Sequence, residues 1–244
     1  MEVLVDDADL MIEYEPGNGA CGEVVISFSG VALSLGSIHK TEFRNSLRKP
    51  RHVRDAYYVS DKRRGWYNST FDRIRETIGP RVEGRNVYTL GNSMGGFAAI
   101  LFSLTFDGAM ASISFCPQYS ISRPLAPFET RWGADAEAIG AWSAPTCLPE
   151  AWNVPRPVRH YVFCGEGEPR DVQHAQLIQM AAANPVSVYV FEGVGHGVAS
   201  GLKQAGALHQ LLDAAMQGPR SDRAMDDVLR GSGLAYATWP PQGH

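Results

Sequence analysis

The 244-residue sequence contains no apolar run approaching the length of a membrane span. Its start, MEVLVDDADLMIEYEPG, has no basic segment followed by an apolar one, so a secretory leader is not expected. Cysteine is scarce, and Cys21, Cys116, Cys147 and Cys164 form no C-x-x-C pair and have no histidine at metal spacing. Cys116 and Cys164 each end an apolar, strand-like run, where buried free thiols are expected. Long basic runs are also missing. The one short cluster, Arg44 to Arg54, lacks interleaved aromatics and a recognisable module, so it reads as a solvated helix and turn rather than a nucleic-acid surface. No internal repeat is visible. These absences point to a cytoplasmic protein without nucleic-acid or membrane partners and without a metal site.

What is present is ordinary for a globular protein: 44% hydrophobic residues, 20% charged, 10% aromatic and a net charge of −4, enough chain for one large α/β domain. Residues 2–5 and 10–14 predict two strands joined by an acidic turn. The continuous apolar run Glu23 to Phe28 predicts a strand covered on both faces. Further strands are expected at 56–59, 87–90, 111–116, 158–164 and 186–191. Helices are expected from about Phe71 to the Gly79-Pro80 stop, after residue 93, over 171–183, and as one final helix over 201–216. Strands alternating with helices imply a mostly parallel sheet with helices on both faces. Residues 117–157 hold seven prolines and three tryptophans (Trp132, Trp142, Trp152) with little periodicity, which reads as a lid-like excursion. Residues 218–244, polar at first and ending near Pro240-Pro241, read as a weakly packed tail.

The chemistry centres on VYTLGNSMGG, Val87 to Gly96, followed by FAAILFSLTF. A strand, a G-x-S-x-G turn and an apolar helix in immediate succession are the layout of a nucleophile elbow, with Ser93 on a strained turn. Serine needs a base, an acid to orient it and donors for the developing oxyanion. His196, in the glycine-rich EGVGHG just past the last parallel strand, is the histidine with a suitable address. The loop after the 158–164 strand offers two acids, Asp171 and Glu168. Asp171 is preferred as a short carboxylate at a helix start, with Glu168 open as the alternative and helix capping as the competing role for Asp171. Met94, directly after the serine, and Val31, in the Ser29-Gly30-Val31 turn, are the expected oxyanion donors. Gln118 and Tyr119, after the next strand, are expected in the substrate pocket.

These residues, GNSMGG, FSG at 28–30, the Glu168/Asp171 loop and GVGHG, resemble the α/β-hydrolase superfamily over residues 10 to about 216. Segments Trp66-Tyr67-Asn68 and Cys116 to Ser120 are similar to those of a less characterised bacterial branch. The sequence departs from the broad pattern in having Ser29 where many members have histidine, and Glu168 where many have aspartate. The resemblance implies cleavage of an ester, thioester or amide in a small acyl substrate through an acyl-enzyme, with no metal or organic cofactor. Acyl transfer or cofactor-free lyase chemistry on the same triad, or binding without turnover, are the alternatives.

Overall fold

The computed structural model describes residues 1–18, 22–31, 41–48, 54–143, 151, 155–218 and 221–239. Cys21, Cys147, Trp152 and Pro240-Pro241 lie outside them. The strands are β1 (Glu2–Asp6), β2 (Leu10–Glu15), β3 (Glu23–Phe28), β4 (Asp55–Asp61), β5 (Asn86–Asn92), β6 (Ala109–Phe115), β7 (Arg159–Gly165), β8 (Val186–Phe191) and β9 (Tyr236–Trp239). Among them lie α1 (Arg44–Leu47), α2 (Phe71–Val82), α3 (Met94–Ser103), α4 (Gly133–Ile139), α5 (Pro169–Ala181), α6 (Val198–Gln204), α7 (Leu208–Ala215) and α8 (Ser221–Gly231).

The strands form one sheet in the order β1-β2-β4-β3-β5-β6-β7-β8-β9. Pairing is parallel from β4 through β8 and antiparallel at both flanks. The chain leaves β3 toward β4 on one side and returns to β5 on the other, so the carboxyl ends of β3 and β5 border a topological switch point, where ligands of open α/β sheets bind.

The alternation of the strands divides the core in two. Val24, Ile26 and Phe28 of β3 and Val188 and Val190 of β8 face the cluster that includes α2, α3 and α5 residues. Val25 of β3, Tyr88 and Leu90 of β5, and Phe163 of β7 face α6, α7 and α8. On that second face, aromatic rings stack from strand to strand: Phe115 on Phe163 at 4.9 Å and Phe163 on Tyr189 at 5.0 Å.

Four expectations change. Helix α2 runs through Pro80 to Val82 because the proline sits in the last turn, where buried Ile78 and Val82 still hold the core face. The single final helix is two, α6 and α7, separated where Gly206 adopts φ 72°. Over residues 221–239 the tail is not weakly packed: α8 buries Met225 and Leu229, and β9 adds an antiparallel strand to β8. The basic cluster is not simply solvated either. Arg44 and Arg48 pair with the buried Glu15, and Arg54 bridges Glu23 at 2.7 Å and Asp213 at 2.9 Å. Cys116 and Cys164 are buried free thiols, as expected. Among the described residues, no helix is long and apolar enough to cross a membrane.

Candidate active site

Strand β5 ends at Asn92, and Ser93 follows with φ 55° and ψ −122°, a backbone state that costs a non-glycine residue roughly 1–3 kcal/mol. It is held there by its N–H donating to Phe115 O (2.8 Å) and by Phe97 N–H donating to its carbonyl (3.0 Å). The Ser93 hydroxyl does not cap α3. The flanking glycines have a steric cause. A Cβ on Gly91 would stand 2.0 Å from Gly95 O, and one on Gly95 would stand 2.1 Å from Phe28 O, so helix α3 meets the sheet backbone on backbone.

That contact brings the start of α3, with Met94, against the turn after β3. Gly30 also packs closely, since its Cβ would lie 2.8 Å from Asn92 O. The Gly30 N–H is directed at the Glu42 carboxyl group. Burial pushes the Glu42 carboxyl up to about 7, against that hydrogen bond. Tyr67, fully buried and at φ 60°, donates its hydroxyl to Ser29 O (2.8 Å) and Val59 O (3.2 Å), fixing the Ser29-Gly30-Val31 turn. Asp61 shapes the loop that presents Tyr67 by accepting the N–H groups of Arg63, Gly65 and Tyr67.

Gln118 is fully buried, and its amide orientation follows from its partners. Trp66 Nε1–H can only donate, so Gln118 Oε1 faces it at 3.3 Å and Nε2 faces Ser93 Oγ at 3.4 Å. Tyr119 is half-buried and donates its backbone N–H to His174 Nδ1 (3.1 Å). A separate cavity of about 550 Å³ adjoins Asn92, lined by Thr41, Glu42, Phe43, Ala199 and Lys203 rather than by Gln118 and Tyr119.

On the other side of the elbow, Gly165 lets the β7 loop approach the histidine loop, because a Cβ there would fall 2.1 Å from Val194 O. Gly167 N–H then donates to Val194 O at 2.8 Å. His196 Nδ1 lies 2.6 Å from Asp171 Oδ2, while Cys116 S–H donates to the His196 carbonyl (3.3 Å). Cys116 directly follows Phe115, the acceptor for Ser93 N–H, so Ser93 and His196 share one sheet edge. Cys116 Sγ, an Asp171 oxygen and a His196 nitrogen lie within 4.8 Å of one another. These are zinc-type ligands, yet Asp171 and His196 already bond each other, and burial drives the thiol pKa well above its usual value.

The two candidate acids separate. Asp171, in the first turn of α5, is fully buried and faces His196. Glu168 is the N-cap: it accepts Arg170 N–H (3.2 Å) and pairs with the Arg170 guanidinium at 2.7 and 2.9 Å. Arg170 first, opposed by burial, lowers the Glu168 pKa. The capping role considered for Asp171 therefore belongs to Glu168.

Three supports were not visible in the sequence. Arg131 Nη2 stands 2.9 Å from Asp171 Oδ1, and the same guanidinium grips Glu129. His174 Nε2 lies 2.9 Å from Glu129 Oε2. The available signal was a Glu-x-Arg pair inside an otherwise proline- and aromatic-rich excursion.

The chain has the α/β-hydrolase fold. No family model and no curated protein matches the sequence. Among solved structures, the chain is similar to the capsule O-acetyltransferase of Neisseria meningitidis serogroup A, in a mutant form in complex with CoA. That match has a TM-score of 0.61 and 14% identity, over 84% of this chain and 93% of that one. It is also similar to an esterase from Exiguobacterium antarcticum, with a TM-score of 0.54 and 15% identity over 87% and 98%. The native Est2 esterase of Thermogutta terrifontis has a TM-score of 0.52 and 18% identity over 94% and 89%.

Proposed function

We propose that the protein is a serine hydrolase that cleaves an ester or thioester through an acyl-Ser93 intermediate. The observation that carries this reading is the combination at one sheet edge of a strained serine, with its hydroxyl not used for capping, and a histidine hydrogen-bonded to a fully buried aspartate. His196 takes the Ser93 proton and later delivers it to the leaving group. Asp171 keeps Nδ1 protonated, which leaves Nε2 as the base, and stabilises the imidazolium. Met94 and Val31 N–H groups hold the oxyanion at the start of α3, where the helix dipole also favours negative charge. Gln118 donates toward Ser93 Oγ, and it and Tyr119 border the substrate. The described part of the excursion, residues 117–143, shapes the acyl side of the pocket.

Acyl transfer is the second reading, favoured by fold similarity to an O-acetyltransferase whose structure contains CoA. A panel of p-nitrophenyl esters and acyl thioesters tests the first reading, with Ser93→Ala as control. Product analysis in the presence of alcohols separates the two: free acid indicates hydrolysis and a new ester indicates transfer. Turnover that persists in Ser93→Ala would remove both.

A further inference from the structure

The excursion after β6 is anchored at its base. Gln118, Ile121, Ala126, Glu129 and Trp132 are buried, and Asn68 ties its later part through Ala141 O (3.1 Å) and Ser143 N (2.9 Å). From this base two charged residues reach α5. Glu129, 2% exposed, accepts from Arg131 Nε at 3.1 Å and Nη2 at 2.6 Å and from His174 Nε2 at 2.9 Å. Arg131 Nη2 also meets Asp171 Oδ1 at 2.9 Å, an ion pair outside hydrogen-bond geometry, and Nη1 lies 3.7 Å from Glu168.

The charges in this cluster can be counted. His174 Nδ1 accepts the Tyr119 N–H, so Nε2 carries the proton to Glu129, and burial lowers the ring's pKa despite that partner. Burial opposes ionisation of Glu129 too, but the bonds from His174 and Arg131 outweigh it and bring its pKa to about 2. Three carboxylates (Glu129, Glu168, Asp171) thus face two guanidiniums (Arg131, Arg170), leaving one negative charge beside His196. Cys116 and Cys164, the other titratable groups beside Asp171 among the described residues, stay neutral thiols because burial raises both.

We propose that Arg131 is a positioning residue: it holds Asp171 with Oδ2 turned to His196 and limits how strongly that carboxylate favours the imidazolium. The proposal rests on the triad reading above. A guanidinium already gripped by Glu129 is a rigid fork, so Asp171 has one oxygen fixed on each side and cannot rotate away. It also means that the segment at 129–131, part of the substrate-side excursion, reaches the triad from behind.

The test uses the full chain with Arg131→Met and Arg131→Lys. It combines the pH profile of p-nitrophenyl ester cleavage with 15N NMR titration of the His196 ring, and thermal melting checks the fold. Removing the positive charge leaves a cluster of −2 and strengthens the pull on a protonated ring. In Arg131→Met, kcat falls roughly tenfold or more with KM within about twofold, and the acid limb moves up by about one pH unit. The NMR midpoint moves in the same direction. Arg131→Lys keeps the limb in place but loses several-fold in kcat, because the charge remains and the fork is gone. A folded Arg131→Met with unchanged kcat, limb and NMR titration overturns the proposal. If Arg131→Met does not fold, Arg131→Lys with wild-type kcat overturns it. If the native protein cleaves no ester, the triad reading fails on its own, and the NMR titration still decides whether Arg131 governs the Asp171–His196 pair.

Discussion

Replacing Asp171 by asparagine separates the two acids and tests the tautomer argument directly. The substitution keeps the shape of a fully buried side chain but makes half of it a donor. Its two partners demand different ends. Arg131 can only donate, so the asparagine oxygen turns to the guanidinium at the Oδ1 position, 2.9 Å away in the native chain. The amide NH2 then occupies the place now 2.6 Å from His196 Nδ1, which must become an acceptor. The ring proton moves to Nε2, and His196 can no longer take the Ser93 proton. The expected loss in kcat is on the order of 10⁴-fold, the scale of a wrong-tautomer triad. Breaking a buried ion pair costs about 3–5 kcal/mol, and the retained oxygen–guanidinium contact reduces this to about 2–4 kcal/mol. At this chain length that lowers Tm by roughly 5–15 °C. Glu168→Gln keeps a capping oxygen and loses a partly exposed pair with Arg170 and a long 3.7 Å contact with Arg131, so it costs about 1 kcal/mol and leaves kcat within about threefold. Steady-state kinetics and thermal melts on both variants decide it. Turnover retained in Asp171→Asn and lost in Glu168→Gln would refute the assignment and the geometry behind it.

Three further outcomes follow from the fold. Gly95→Ala places a methyl 2.1 Å from Phe28 O, between a helix start and a strand paired on both sides, so unfolding measurements should show a loss of about 3 kcal/mol together with lost turnover; a neutral result would mean α3 can lift from the sheet. Glu42, with its pKa raised from 4.5 to about 7, contributes stability that is complete below 4.5 and is lost as pH rises through 7. Denaturant midpoints of Glu42→Gln should therefore decline less than those of the native chain between pH 4.5 and 8, and parallel curves would contradict the burial of a protonated carboxyl. Met225→Ala empties a site with 0% exposure and should cost about 2–5 kcal/mol in urea titrations, whereas a change below about 0.5 kcal/mol would return residues 221–239 to a loose tail.

The legible parts of this protein were the local ones. Ser93 could be read because the strained turn, its glycines and the helix behind it lie within a few consecutive residues. His196 was readable for the same reason, by its place after β8. The loop carrying both carboxylates was also visible, but which of them faces His196 depended on Arg170 and Arg131, and Arg131 arrives from 40 positions away in a segment without periodicity. Trp66 and Tyr67 stood out as a segment, yet their work on Gln118 and on the turn after β3 exists only once β4, β3, β5 and β6 are assembled in one sheet. The C-terminal helix was misread for a different reason. Ala224, Met225, Val228 and Leu229 have helical spacing, but the polar start and the final prolines outweighed that pattern.

The central claim is that Ser93 is an activated nucleophile, and intact-protein mass spectrometry after incubation with a fluorophosphonate tests it most directly. The account predicts that the native chain gains one phosphonyl group mapping to Ser93, that Ser93→Ala gains none, and that His196→Ala reacts far more slowly. A native chain that stays unmodified, or a group that still attaches in Ser93→Ala, would contradict it.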